Sequence, residues 1–269
     1  MPLTSFRCSD GIQRPIAECL AKCPRKEGRC LSLPTLYQIG KDRPFTGKFS
    51  TTQLLNPTRQ EYLKLTREYA INPKAQAFAL LGTRHHQTLE AVAHQIKGIE
   101  VEKFLDGDTT GTLDLLEPEG DKWRLIDYKT WGSYSVAKII YADNDGVYDK
   151  MQVSLQLNNY RIKAERLGFA VSSLLVQCTV RDGGTKTARE NRIEWNMDLI
   201  PIPILPDKEV IDYFDKKREG LQMALANNAL PEMCPFEERW GGRRCKGDFC
   251  PVHTFCPEGA KINKVKYLG

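Results

Sequence analysis

GTLDLLEPEGDKWRLIDYKT, residues 111–130, is the stretch on which the reading of this chain turns. Two runs with strand-forming residues, Thr112–Leu116 and Trp123–Lys129, flank Glu117-Pro-Glu-Gly-Asp121, which is made of turn formers. They predict a β-hairpin. Along the second strand, side chains alternate with period two, so Asp127 and Lys129 share one face and Tyr128 takes the other. Asp114 sits on the first strand. An Asp-x-Lys step alone is weak, because charged residues alternate along many exposed strands.

Upstream, a helix is expected from about Phe78 to Ile96, where Leu89, Val92, Ala93 and Ile96 form one apolar stripe. His86 falls on that face, with Glu90 one turn further along. Glu100–Leu105 reads as a strand. Further upstream, Asn56-Pro57 predicts an N-cap followed by proline at the first helical position, opening a helix through about Tyr69. Downstream, a helix from about Lys150 to Leu167, capped by Asp149, buries Val153, Leu157, Tyr160 and Ala164, with Gln156 one turn before Tyr160. Val171–Val180 is an apolar strand. A helix over 207–227 points Val210, Ile211, Phe214, Leu221 and Leu225 inward. Hairpin, helix and strand in that order imply an α/β crossover fold.

The chain has 269 residues, 41% of them hydrophobic and 27% charged, an ordinary globular composition. With no apolar run of 18 residues and no apolar leader in MPLTSFRCSDGIQR, the expectation is a cytoplasmic protein with no membrane partner. Residues 1–48 carry nine Lys/Arg against four Asp/Glu, and residues 237–269 seven against four. With a total of +5, the stretch between is therefore −3 (5 − 5 − 3). Basic ends suit a polyanion and an acidic middle suits cations.

His86, Asp114 and Asp127 offer two carboxylates and an imidazole, a donor set suited to a hard divalent cation at a sheet edge. Lys129 is placed to orient a water or offset charge on a phosphate.

Four motifs follow in order: GTRHHQTLE (82–90), GTLD (111–114), LIDYKT (125–130) and QLNNY (156–160). Together they resemble the RecB-like branch of the PD-(D/E)XK nucleases, similar to CRISPR-associated adaptation nucleases and AddB-type nuclease domains. The resemblance implies a restriction-endonuclease-like core, an α/β fold with a mixed central sheet flanked by helices, over residues 49–230. It implies His86, Asp114 and Asp127 as ligands of Mg²⁺ or Mn²⁺, with the Tyr128 backbone carbonyl contributing. Lys129 becomes the catalytic lysine, and Gln156 and Tyr160 the helix residues near DNA and the site. The pattern aligns on His86, leaving His85 to point outward; His94 and His253 are read as structural. Glu90 reads equally as a positioning carboxylate or a surface one. The implied activity is a metal-dependent deoxyribonuclease, expected to be an exonuclease, acting on single- or double-stranded DNA. Repair, recombination, or mobile-element or CRISPR DNA processing is the implied setting. A helicase or a recombination or integration protein is the expected partner, since the chain has no Walker-type phosphate loop. The alternative is a metal-stabilised DNA-binding accessory protein with an idle nuclease fold.

Eight of the nine cysteines crowd the ends. Cys8, Cys19, Cys23 and Cys30 lie in a Pro- and Gly-rich segment, 1–48, without sustained periodicity, and are expected to hold zinc in place of a core. Cys234, Cys245, Cys250 and Cys256 lie in 231–269 and are expected to hold a 4Fe–4S cluster or zinc. In cluster-bearing members of the resembled branch an early cysteine opens the first helix, where this chain has NPTR (56–59), so two separate four-cysteine sites are expected. Cys178, in an apolar run, reads as core.

Overall fold

The computed structural model describes residues 3–41, 44–141 and 147–264. The strands are β1 (Leu3–Arg7), β2 (Gln13–Pro15), β3 (Tyr69–Ile71), β4 (Glu100–Leu105), β5 (Gly111–Glu119), β6 (Lys122–Trp131), β7 (Val171–Val180) and β8 (Met197–Ile202). The α-helices are α1 (Ile16–Ala21), α2 (Leu33–Ile39), α3 (Thr51–Leu55), α4 (Thr58–Thr66), α5 (Ala77–Ala93), α6 (Ser133–Tyr141), α7 (Val147–Arg166), α8 (Lys186–Glu190), α9 (Asp207–Ala226) and α10 (Pro257–Lys264). They form two compact units. One comprises Met1–Gly47, Asn56–Leu80 and Lys217–Gly269; the other comprises Lys48–Leu55 and Leu81–Lys216.

The second unit is built on a five-stranded sheet ordered β4-β5-β6-β7-β8. Every neighbouring pair is antiparallel except β6 and β7, so the sheet is mixed. The β5–β6 hairpin is tighter than its sequence suggests: Glu119 already pairs with Lys122, and Gly120, at φ +66°, makes the turn. Pro118 is tolerated inside the strand because β4 pairs with β5 only as far as Leu116, leaving the proline on an open edge. One sheet face buries Leu113, Leu116, Leu125, Leu174, Val176 and Cys178 with Leu157, Tyr160 and Ala164 of α7. The other buries Leu115, Ile126 and Tyr128 with Leu89 of α5. Helices on both faces explain why β7 reads as a nearly continuous apolar run.

Three expectations for the helices fail. Helix α5 stops at Ala93, and although Ala93 is buried, Val92 and Ile96 are each 54% exposed, so the predicted stripe is only partly used. Helix α7 begins at Val147, which places Asp149 in its first turn; the carboxylate pairs with Lys138 at 3.1 Å instead of capping. In α9, Val210, Phe214 and Leu221 are buried while Ile211 reaches the surface.

In the first unit, β1 pairs antiparallel with β2 and parallel with β3. Phe6, Ile16, Cys19 and Leu36 are buried against Leu3, Leu20, Leu31, Ile39 and Ile71. Residues 1–48 therefore do contribute a small core, contrary to the reading of that segment as coreless. Its apolar residues come from a strand and two short helices, so no single period links them. Of the segments that composition sets apart, residues 1–47 and 231–269 fall in this same unit together with 56–80 and 217–230, while Lys48 belongs to the other. Pro57 takes the N-cap position of α4, and the Asn56 side chain is not its cap: its Oδ1 accepts from Arg244 Nη2 at 2.5 Å. No helix among the described residues is long and apolar enough to cross a membrane.

Candidate active site

The site grows from a local break in strand regularity. Strand β5 carries Leu113 in the α7-side core and Leu115 in the α5-side core, so side-chain alternation slips at Asp114. Asp114 Oδ2 accepts from the Tyr128 backbone N–H of β6 at 2.7 Å. That bond fixes the carboxylate, which is 7% exposed, without spending a neighbouring cation on it.

From α5, His86 reaches the same place. Its Nδ1 lies 3.4 Å from Asp114 Oδ1, and its Nε2 lies 2.9 Å from the Tyr128 carbonyl oxygen. The Asp114 hydrogen bond holds the imidazole pKa above its usual value, against the opposing effect of burial. Glu102 of β4 completes the group: one donor atom from each of His86, Glu102 and Asp114 lies within 4.8 Å of the others. Burial raises the Glu102 carboxyl pKa, with Asp114 and Glu90 adding to the effect. Two carboxylates and one imidazole at this spacing form a donor set for a hard divalent cation.

Asp127 and Lys129 follow on β6. Asp127 is 2% exposed, and Lys129 Nζ stands 2.6 Å from its Oδ2. The pairing is one of distance and charge, because Oδ2 has no aligned hydrogen-bond donor and keeps a buried lone pair open. Burial raises the Asp127 pKa, and Lys129 opposes the rise. For Lys129, burial lowers the pKa, but Asp127 and Asp114 outweigh it and the ammonium is held. Tyr160 of α7 is hydrogen-bonded to Gln156, and burial lifts its pKa. Its ring lies on the bare backbone of Gly111, where a Cβ would stand 2.5 Å from Cε1. Glycine in GTLD is thus what lets Tyr160 approach.

The structure thus gathers His86, Asp114, Asp127, Tyr128, Lys129, Gln156 and Tyr160 within one unit. His85 does not point freely outward: it is half-buried, with Nε2 3.5 Å from Thr179 Oγ1 and its ring centroid 6.2 Å from that of Tyr128. Glu90 pairs with exposed His94 at 3.6 Å. Glu102 is the residue that sequence reasoning missed. The signal was the hairpin register, since pairing of Val101 with Leu115 and of Lys103 with Leu113 puts Glu102 opposite Asp114.

The tail cysteines converge separately. Cys234, Cys245, Cys250 and Cys256 line a small cavity of about 30 Å³ with Arg59, Arg239 and Arg244. Arg59 Nη1 lies 3.7 Å from Cys256 Sγ, and Arg239 Nε is buried with no acceptor. Burial pushes the Cys250 thiol up to about 12 and raises those of Cys234 and Cys245. Thiols ringed by guanidinium groups, one with an orphaned donor, fit an anionic iron–sulfur cluster. At the other end Cys8 and Cys19 are buried, and burial, then Cys23, Cys8 and Cys30, raises the Cys19 thiol. Among the described residues, no three of these eight sulfurs lie within 4.8 Å of one another. Cys178 is fully buried on β7, its thiol pushed up to about 11, as expected of a core residue. His253, also read as structural, is buried with Nδ1 2.8 Å from the Cys250 carbonyl oxygen.

Residues 50–257 match the family model of the PD-(D/E)XK nuclease superfamily. No curated protein matches the chain. Among solved structures, the crystal structure of SSO0001 aligns at 14% identity with a TM-score of 0.47, over 84% of this chain and 94% of that one.

Proposed function

The chain belongs to the PD-(D/E)XK nuclease superfamily, and from that premise we propose a RecB-like deoxyribonuclease dependent on Mg²⁺ or Mn²⁺, acting as an exonuclease. The observation that carries the reading is the convergence of His86, Glu102 and Asp114 beside the buried Asp127–Lys129 pair. His86, Glu102, Asp114, Asp127 and the Tyr128 carbonyl would hold the ion. When bound, the ion lowers the pKa of a water and neutralises charge on the scissile phosphate.

The protein's own groups do the rest. Asp114, pinned by the Tyr128 amide, orients the His86 ring. Lys129 keeps its proton beside Asp127 and presents positive charge where negative charge develops on the phosphate. Gln156 and Tyr160 border the Lys129 side of the site and steady the DNA strand. DNA repair, recombination, or mobile-element or CRISPR DNA processing is the setting this activity serves, with strand separation supplied by a helicase partner.

The tail cysteines hold a 4Fe–4S cluster, a reading favoured over zinc by the guanidinium groups of Arg59, Arg239 and Arg244 that line the same cavity and suit an anionic group. Cys8, Cys19, Cys23 and Cys30 hold a zinc ion with four thiolate ligands.

Time courses on end-labelled and circular DNA, single- and double-stranded, with Mg²⁺ or Mn²⁺, test the reading. Cleavage from ends is expected, and its loss in Asp127→Ala with the fold retained. Equal cleavage in EDTA by pure protein would overturn the mechanism. Anaerobic purification should give a brown protein with about four irons and one zinc.

A further inference from the structure

The first unit carries a second feature that the metal site does not use. Phe236 and Phe249 remain 65% and 58% exposed. Trp240 packs on Phe249, its ring centroid 5.9 Å from that of Phe249 and edge-on at 81°. Gly241 lies against the Phe236 ring, close enough that a Cβ would meet Cζ at 3.4 Å. Two guanidinium groups face the indole: Arg243 at 5.6 Å and Arg244 at 4.9 Å from the ring centroid.

The arrangement is held rigidly. Arg244 is buried and anchored on Asn56 Oδ1 at 2.5 Å and Gln60 Oε1 at 3.3 Å. Trp240, Gly241 and Gly242 follow one another at φ +52°, +63° and +92°, a left-handed run in which the tryptophan is the unfavourable member. Of the neighbouring acids, Glu238 is paired with Lys217 and Asp248 with Arg7, and Glu237 is exposed; Arg243 and Lys246 stand exposed in the same segment.

We propose that this surface is a stacking platform for an unpaired nucleic-acid strand, with Phe236 and Phe249 taking bases and Arg243 and Lys246 taking the phosphates between them. A base offers its flat face to any aromatic ring whatever its sequence, and the backbone supplies the anion that the exposed cations match. A duplex keeps those faces stacked inside, so the exposed rings have little to offer it. The inference rests on the nuclease reading only in that the same polymer is the substrate.

The test is equilibrium binding of fluorescein-labelled oligo-dT and of a blunt duplex to full-length metallated protein, without added divalent ion so that no strand is cut. Phe236→Ala and Phe249→Ala should each weaken oligo-dT binding about 5-fold or more, and Phe→Trp at either site should restore it. Duplex binding should stay within about 2-fold of the parent, and thermal unfolding should be unchanged. Arg243→Gln should lower the salt dependence of oligo-dT binding by about one charge. Hydrolysis of bis(p-nitrophenyl) phosphate with Mn²⁺ should be untouched by all five variants. Loss of that activity in the parent would defeat the nuclease reading and leave the platform standing. Unchanged oligo-dT affinity in both alanine variants, as a protein-docking face would give, overturns the platform. So does an equal loss for duplex and single strand.

Discussion

Glu102 and Asp114 face each other across the β4–β5 pair at the one step between Val101↔Leu115 and Lys103↔Leu113 where no ladder partner forms, and Glu102 holds that position at φ +45°. A non-glycine residue there bears a conformational cost of about 1–3 kcal/mol. The cost is set against a carboxylate delivered to His86 and Asp114. Glu102→Gly should therefore hold or raise the unfolding temperature while weakening Mn²⁺ binding about 10-fold or more. Calorimetric titration with Mn²⁺ alongside thermal denaturation checks both. A variant that melts earlier and binds Mn²⁺ as before would separate the strain from the site.

Lys129→Ala should lose turnover far more than DNA affinity, by about 10²–10³ in rate. Its ammonium sits 2.6 Å from Asp127, within the cluster proposed to act on the scissile phosphate. Single-turnover rates and binding isotherms on one substrate separate the two losses. Parallel losses would make Lys129 a binding residue.

Gly111→Ala places a methyl 2.5 Å from Tyr160 Cε1. Overpacking of this kind costs about 1–3 kcal/mol, and here the ring that must move borders Lys129, the lysine proposed to act in cleavage. Reduced stability and reduced cleavage are expected together. The double variant Gly111→Ala/Tyr160→Ala should show a smaller stability loss than the two single effects summed. Strict additivity would mean that glycine serves something other than this contact.

Lys163, 6% exposed, donates to the Thr109 carbonyl and hydroxyl oxygens, and burial lowers its pKa from 10.5 to about 8. Below about pH 8 the native and unfolded chains both hold the proton, and the native state bears the full desolvation cost. Between that point and the unfolded value the unfolded chain keeps a proton that the native chain has released, so stability rises with pH. Urea denaturation should show wild type gaining about 1–3 kcal/mol relative to Lys163→Met between pH 7.5 and 10. A constant difference would mean that the ammonium remains hydrated.

The hairpin, helix α7 and the β7 strand could be read because each has a clear period bounded by turn formers. Three of the four motifs, GTLD, LIDYKT and QLNNY, lie on those elements, so most of the candidate site came with them. The failures share a physical cause. Asn56 and Asp149 look like caps, but Arg244 and Lys138, far away in sequence, claim their side chains. Glu102 looks like a charge on a weak strand, and its part in the site depends on strand register and on a positive φ that no local pattern announces. The small core of residues 1–48 mixes strand and helix contributions, which hides it from any single periodicity.

The first unit draws its chain from both ends. Arg244 meets Asn56 across 188 residues and Arg59 meets Cys256 across 197, whereas the second unit runs almost unbroken from Leu81 to Lys216. On the ribosome these halves mature at different times. The cutting half can collapse while translation continues, but the cysteine-bearing half must wait for the final residues to emerge. Its long loop closures also make it the slower of the two to fold. A nascent molecule therefore acquires its carboxylate centre before the thiol-lined cavity exists, and the metal group proposed for that cavity could enter only after residues 234–256 have emerged.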